Sequence, residues 1–331
     1  MIGRIQSELT RFKEILSATQ LHHHRIREMF EYAYVIEPVD SLPLPRGKSI
    51  GLTVMAITHG NEVGGIAVLN EYLWLVNRGA LNLTVPLGIV LGNPLAAINQ
   101  KRFIDQDLNR SFNKQQNDCH EGKRARELEG LLKETRFLLD IHQTVEPCET
   151  GFLIFPYRPE SFAFSRKVGG RLPIVTHWNA GFSKDGQCSD EFVNANGGNG
   201  ITIELGQCGF QPYHVSLGLQ AMIRSHEAVN EAFQGSKTIE DDGPPDLYTW
   251  GQIFPFTSGE TKLDEGWKNF QQIEKGQRLG LIDGKVAKAD VSGKILFPKY
   301  IKDNKQQRPS ELCRIIRRVE MSELENVELA K

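Results

Sequence analysis

Hydrophobic residues near the start of the chain recur with the spacing of a helix. Between residues 4 and 34 apolar side chains return every three or four positions: Ile5, Leu9, Phe12, Ile15, Leu16, Ile26, Met29 and Phe30. This period marks one face of an α-helix and predicts one or two helices in an N-terminal segment of residues 1–48. We interpret His22-His23-His24, in the polar centre, as a solvated helix face, because adjacent helical side chains point in different directions.

From residue 49 the pattern changes to short, nearly unbroken apolar runs bounded by Gly, Pro or Asn. The runs cover residues 49–57, 87–92, 137–141, 152–155 and 201–205. Such runs are typical of strands buried on both faces of a sheet. Stretches with helical spacing, such as residues 64–76 and 123–133, lie between several of them. This alternation predicts an α/β fold with a central mixed sheet flanked by helices.

The texture changes again near residue 240. The acidic, proline-containing stretch Glu240-Asp241-Asp242-Gly243-Pro244-Pro245 is typical of a linker. Beyond it the segments are short, glycine-punctuated and strand-like. We therefore predict three parts: an N-terminal helical segment (1–48), a main α/β domain (49–240) and a smaller β-rich C-terminal domain (241–331).

Composition narrows the class of protein. Of the 331 residues, 40% are hydrophobic, which suffices for a large core, and 39 basic residues nearly balance 41 acidic ones. A near-neutral chain has no global field for nucleic acid or an anionic membrane, so we expect neither partner. Five scattered cysteines and the lack of an apolar leader or a ~20-residue apolar span predict a cytoplasmic protein with reduced thiols.

Three residues at predicted strand ends have the chemistry of metal ligands. His59 and Glu62, in His59-Gly60-Asn61-Glu62, follow the run 49–57, and His142 closes the run 137–141. Open α/β sheets bind ligands at this edge. Two histidines and a carboxylate leave a tetrahedral zinc ion one position for water, although iron(II) accepts the same set. A capped helix N-terminus is the alternative for His59 and Glu62 alone.

Glu204 lies inside the apolar run 201–205. Burying a carboxylate is costly, so such a residue either pairs with a cation or takes part in chemistry. A structural salt bridge is the alternative to a catalytic role.

The charged run Lys101 to Arg110 contains groups that bind anions. Asn109 and Arg110 offer amide donors and a guanidinium fork suited to a carboxylate. Arg102 could polarise a carbonyl oxygen as charge develops on it, with Asp105 and Asp107 orienting these cations. The alternative is a solvated surface segment.

Four motifs between residues 49 and 206 occur in an order and spacing that resembles the succinylglutamate desuccinylase and aspartoacylase family, which belongs with the zinc carboxypeptidases. They are T-H-G-N-E, N-P…K-R-x-x-x-x-D-L-N-R, D-I-H and I-E-L-G. The resemblance implies a carboxypeptidase-like α/β catalytic domain with a mixed central sheet, and a family-like β-rich tail. It assigns one zinc ion to His59, Glu62 and His142, the general base to Glu204, oxyanion assistance to Arg102, and the substrate's α-carboxylate to Asn109 and Arg110. The family's tail also supplies a tyrosine, for which Tyr300 is the candidate.

The resemblance implies a function as well. Family members hydrolyse the linear amide bond of a small N-acyl amino acid, here with Glu204 activating the zinc-bound water. A zinc carboxypeptidase acting on a peptide or cell-wall fragment, and a non-catalytic binding protein on the same scaffold, are the alternatives. The sequence leaves a homo-oligomer open.

Overall fold

The computed structural model describes residues 1–18, 24–114, 118–178, 186–235, 243, 245–301 and 309–329. The helices are α1 (Ile2–Ser17), α2 (Gly64–Asn77), α3 (Pro94–Ile98), α4 (His120–Lys133), α5 (Pro159–Gly169), α6 (Ser189–Ala195), α7 (Pro212–Gln234) and α8 (Met321–Leu329), with a 3-10 turn at Leu108–Arg110. The strands are β1 (His24–Phe30), β2 (Ala33–Pro38), β3 (Ile50–Ala56), β4 (Leu87–Leu91), β5 (Thr135–Thr144), β6 (Phe152–Pro156), β7 (Ile174–His177), β8 (Asn199–Gln207), β9 (Leu247–Pro255), β10 (Lys262–Leu263), β11 (Gln272–Ile273), β12 (Arg278–Ile282), β13 (Lys285–Lys288), β14 (Gly293–Leu296) and β15 (Glu311–Arg318).

In the described part of the chain, twelve strands form one mixed sheet in the order β1-β2-β4-β3-β5-β8-β6-β7-β9-β15-β14-β11. Its centre, β4-β3-β5-β8, is parallel, and β6 runs antiparallel to β8. Strands β10, β12 and β13 form a separate antiparallel sheet. The predicted α/β fold with a central mixed sheet is confirmed.

The apolar runs form central strands because helices cover both faces of the sheet. Successive side chains of β3 alternate between faces: Val54 joins a core cluster with Ile66 of α2, and Met55 joins another with Leu128 of α4. A strand covered on both sides has no solvent face, which explains why its sequence shows no polar alternation.

The N-terminal helix prediction is right for the first half and wrong for the second. Residues 24–38 form the β1–β2 hairpin, whose turn includes Tyr32 with φ of 59°. β2 pairs with the edge of β4, and this pairing outweighs the helical spacing of a few apolar residues. His24 begins β1 and so lies on no helix face, while His22 and His23 lie outside the described residues. Helix α1 packs on α2 and on the hairpin through Phe12.

The tail is rich in β-strands, as predicted. β9 pairs with β7 and β15, so the main sheet continues through the C-terminal part of the chain. The predicted linker lies outside the described residues except for Gly243 and Pro245, and the domain boundary at residue 240 stays a prediction. Among the described helices, none combines the length and the apolar character that crossing a membrane requires.

Candidate metal centre and active site

The structure brings His59, Glu62 and His142 together at the ends of two neighbouring strands. β3 and β5 run side by side with Ala56 opposite Ile141, so the loop after β3 meets the end of β5. Oε1 of Glu62 lies 2.7 Å from Nδ1 of His59, and Oε2 lies 2.9 Å from Nδ1 of His142. One ligand atom from each residue lies within 4.8 Å of the others, and all three residues are buried. This spacing suits one divalent cation.

Each histidine is held from behind by an aspartate. Nε2 of His59 lies 2.9 Å from Oδ1 of Asp107, and Nε2 of His142 lies 3.0 Å from Oδ2 of Asp140. With a metal bound, a carboxylate on Nε2 would hold the ring tautomer that leaves the Nδ1 lone pair for the ion. Both Nδ1 atoms face Glu62, so the donor set fits a metal ion.

Glu204 is the neighbour of His142 on the adjacent strand, because β5 and β8 pair in that register. Its side chain is buried, and Oε2 has no hydrogen-bond partner among the described residues. Burial, and then the negative charge of Glu62, raise the pKa of Glu204 to about 8, although His142 and Arg102 oppose this shift. A buried oxygen without a partner beside three ligand-type residues is what a catalytic base aimed at a water molecule would show.

The acid among the three candidate ligands, Glu62, behaves differently from Glu204. Burial raises the pKa of Glu62, but the charges of His59 and His142 outweigh it and hold the pKa below its ordinary value. Glu62 is therefore ionised, as a ligand must be. Two glutamates in one buried site thus differ in proton affinity, because the histidines bracket Glu62, whereas Oε2 of Glu204 has no hydrogen-bond partner among the described residues.

Arg102 reaches the same group. Its guanidinium donates to Oε1 of Glu62 at 3.2 Å and to Oδ2 of Asp107 at 3.4 Å, and it lies 2.8 Å from Nε2 of His59. Asp107 therefore orients both His59 and Arg102. Asp105 does not share this role, because its carboxylate accepts the backbone N–H of His120 at 2.8 Å.

Asn109 and Arg110 lie on the 3-10 turn directly after Asp107. Oδ1 of Asn109 accepts the backbone N–H of Ser189 at 3.0 Å, which ties the turn to the start of α6. The Arg110 guanidinium donates to the Asn109 carbonyl at 2.5 Å and to Sγ of Cys188 at 3.0 Å. The turn thus carries an amide and a guanidinium on the loop that also carries Arg102.

Among the described residues, Tyr300 makes no contact with this group. Its hydroxyl accepts the backbone N–H of Trp267 at 2.8 Å and donates to the Asp264 carbonyl at 3.3 Å, so it holds a turn of the C-terminal part. The sequence analysis did not single out the neighbouring Lys299. Burial, with the charges of Arg102, Arg314 and Arg110, lowers the pKa of Lys299 to about 8 against the pull of Glu311. The C-terminal part therefore contributes a buried lysine whose pKa responds to Arg102 and Arg110.

Comparison with known families settles the relationship. The sequence profile of the succinylglutamate desuccinylase/aspartoacylase catalytic domain matches residues 49–230, more than half of the chain. The chain belongs to this family.

Two relatives are similar to this chain in sequence along most of their length. The chain is 33% identical over 287 residues to a succinylglutamate desuccinylase of Serratia proteamaculans, covering 78% of this chain and 83% of the relative. It is 30% identical over 260 residues to the human N-acyl-aromatic-L-amino acid amidohydrolase (carboxylate-forming), covering 73% and 76%.

Solved structures show the same fold. Succinylglutamate desuccinylase from Chromobacterium violaceum superposes with a TM-score of 0.67 at 18% identity, covering 94% of this chain and 98% of that one. Murine aminoacylase 3 gives 0.60 at 22% identity, covering 83% and 98%. These likenesses support the fold alone.

Proposed function

We propose that this protein is a zinc-dependent amidohydrolase that cleaves the amide bond of a small N-acyl amino acid to a carboxylate and a free amine. The observation that carries the proposal is the buried Oε2 of Glu204, which has no hydrogen-bond partner among the described residues and lies beside His59, Glu62 and His142. The relatives named above are a desuccinylase and an amidohydrolase of N-acyl amino acids, which supports the same substrate class.

Zinc fits the donor set of two histidine nitrogens and one carboxylate, each histidine being held by a second carboxylate. When bound, the ion would supply a Lewis acid that acidifies a water molecule and polarises the amide carbonyl.

Side chains of the protein transfer the proton, stabilise the developing charge and bind the substrate. Glu204 removes a proton from the attacking water and later delivers it to the nitrogen of the leaving amine. The Arg102 guanidinium stabilises the negative charge that develops on the former carbonyl oxygen. Asn109 and Arg110 bind the α-carboxylate and so hold the amide in place.

Replacing Glu204 tests the proposal. Glu204→Gln keeps the side chain's size and cannot accept the proton, so we expect turnover to fall on the order of 10²-fold or more. The assay follows amine release from a panel of N-succinyl, N-acetyl and N-acetyl-aromatic amino acids with the zinc-loaded protein. Zinc content, measured by elemental analysis, should stay near one ion per chain in both proteins.

The exposed Glu149 provides the matched control, and Glu149→Gln should keep parental turnover. Near-normal turnover of Glu204→Gln would contradict its role. The panel also contains C-terminal peptides, and faster hydrolysis of these than of every N-acyl amino acid would favour a carboxypeptidase instead. A parent protein in which elemental analysis finds no bound zinc would contradict the metal assignment.

A further inference from the structure

Most residues of the proposed site that are not at strand ends lie on one irregular segment. Residues 101–111, which we call the cation loop, carry Arg102, Asp107, Asn109 and Arg110. The loop runs between α3 and α4, and its regular structure is limited to the 3-10 turn at its end. Between Lys101 and Gln106 the described structure has no internal backbone hydrogen bond, so this stretch needs contacts from outside to hold a guanidinium in one place.

Glu121, in the first turn of α4, makes such contacts. Its carboxylate is fully buried. Oε1 accepts the backbone N–H of Ile104 at 2.6 Å, and Oε2 accepts those of Asp105 at 3.0 Å and Gln106 at 3.2 Å. The side-chain amide of Asn93, which follows β4, donates to Oε1 at 2.9 Å. Three consecutive amides of the cation loop therefore converge on one carboxylate that is fixed to a helix.

We propose that Glu121 is a positioning residue for the reaction: its carboxylate fixes the backbone of the cation loop and so sets where Arg102 and Asp107 stand relative to the metal ligands. The anchored amides begin two residues after Arg102 and end directly before Asp107. A shift of these amides must therefore move both side chains. This inference rests on the proposed function for its catalytic consequence.

The chemistry of Glu121 supports a permanent anchor. Burial alone would raise the pKa of this carboxyl group, but the hydrogen bonds from Ile104, Asn93, Asp105 and Gln106 outweigh it and lower the pKa. An ionised acceptor forms shorter and stronger hydrogen bonds than a neutral one. The loop is also tied at other points, since Gly60 N–H donates to the Arg102 carbonyl at 2.9 Å and Ser111 Oγ donates to the Asp107 carbonyl at 2.8 Å.

A purely structural role is the competing explanation, and the same helix offers a matched control. Arg124 is also buried, but its guanidinium donates to the carbonyls of Gly92, Leu91 and Glu31, each at 2.9 Å. These contacts hold α4 to the end of β4 and to the β1–β2 turn, and none of them involves the cation loop. Arg124→Gln should therefore lower stability without moving the loop.

The test compares Glu121→Gln with Arg124→Gln. Glutamine keeps the size of the side chain but loses the charge and replaces one acceptor oxygen by an amino group. We expect faster amide hydrogen exchange in residues 101–111, measured by mass spectrometry on the whole protein, in Glu121→Gln only. At saturating zinc we also expect kcat to fall and KM to rise, for a combined loss on the order of 10–100-fold in kcat/KM. Arg124→Gln should keep kcat/KM within about threefold even where its melting temperature falls equally.

The outcomes separate the two proposals. Unchanged exchange in the cation loop, parental kcat/KM in Glu121→Gln, or an equal loss in Arg124→Gln would overturn the positioning role. A parent protein that hydrolyses no N-acyl amino acid would defeat the proposed function, while the exchange measurement would still decide whether Glu121 holds the loop.

If Glu121→Gln does not fold, Asn93→Ser takes its place. Serine can keep the cap on α3, where Oδ1 of Asn93 accepts the Ala96 N–H, but it removes the donor to Glu121. A several-fold loss of kcat/KM with faster loop exchange supports the anchor, and parental values of both overturn it.

Discussion

The aspartates behind the two histidines allow a quantitative prediction about metal affinity. Asp140 is fully buried, and its carboxylate accepts hydrogen bonds from His142 Nε2 at 3.0 Å, Thr58 Oγ1 at 3.0 Å and Ser189 Oγ at 2.5 Å. Asp140→Asn keeps the shape of the side chain but removes its charge and one of its acceptor oxygens. His142 then loses the ionic acceptor that holds its ring and raises its basicity.

The expected loss of zinc affinity depends on how far each aspartate is exposed to solvent. Removing the outer partner of a metal-binding histidine typically costs about 10–100-fold in affinity, or roughly 1.4–2.7 kcal/mol. Asp140 has no solvent access and binds three donors, so we expect its variant near the upper end, about 100-fold. The Asp107 side chain is 23% exposed, and water can partly replace it. Asp107→Asn should therefore lose less, about tenfold.

Competition with a chromophoric zinc chelator at constant pH measures both variants against the parent. Asp105→Asn is the matched control, because this exposed carboxylate of the same loop contacts the backbone of His120 rather than a predicted ligand. The reasoning is refuted if Asp140→Asn binds zinc as tightly as the parent, or if Asp107→Asn loses more affinity than Asp140→Asn.

Two further predictions concern stability. Burial, and then the charge of Glu191, raise the pKa of Asp190 to about 7, so its contribution to stability is present below about pH 4 and is lost as the pH rises through 7. We therefore expect Asp190→Asn to have a higher free energy of unfolding than the parent at pH 8, by at most ~4 kcal/mol, and no such gain at pH 4. Urea unfolding measures this, and an equal difference between variant and parent at both pH values would contradict the prediction. Phe12 is fully buried against Tyr32 and Tyr34. Phe12→Ala should lower the free energy of unfolding by about 3–5 kcal/mol, and a loss below ~1 kcal/mol would show that α1 is not integral to the fold.

The central sheet and the convergence of the ligand-type residues could be predicted because both depend on local patterns. Runs such as residues 49–57 lack a polar face, which is typical of a strand covered on both sides. His59 and His142 follow two such runs, and parallel strands bring equivalent ends together. The chain order alone therefore placed the ligand-type residues at one edge of the sheet.

Other features depended on contacts between distant segments. The apolar spacing in residues 24–38 suits a helix. These residues form a hairpin instead, because β2 pairs with the edge of β4. Tyr300 and Lys299 are adjacent in sequence, and only the packing of the C-terminal turn decided that the hydroxyl serves Trp267 while the lysine lies in the field of Arg110.

Glu121 shows the limit most clearly. In the sequence it is one of several charged residues of a polar helix, where a solvated position is the ordinary expectation. Its burial exists because the cation loop folds over the start of α4 and presents three backbone amides to it. The sequence by itself determined which segments become strands and which side chains could bind a metal. The tertiary structure decided which charges are buried and paired, because the desolvation and partners of a charge depend on segments far away in the chain.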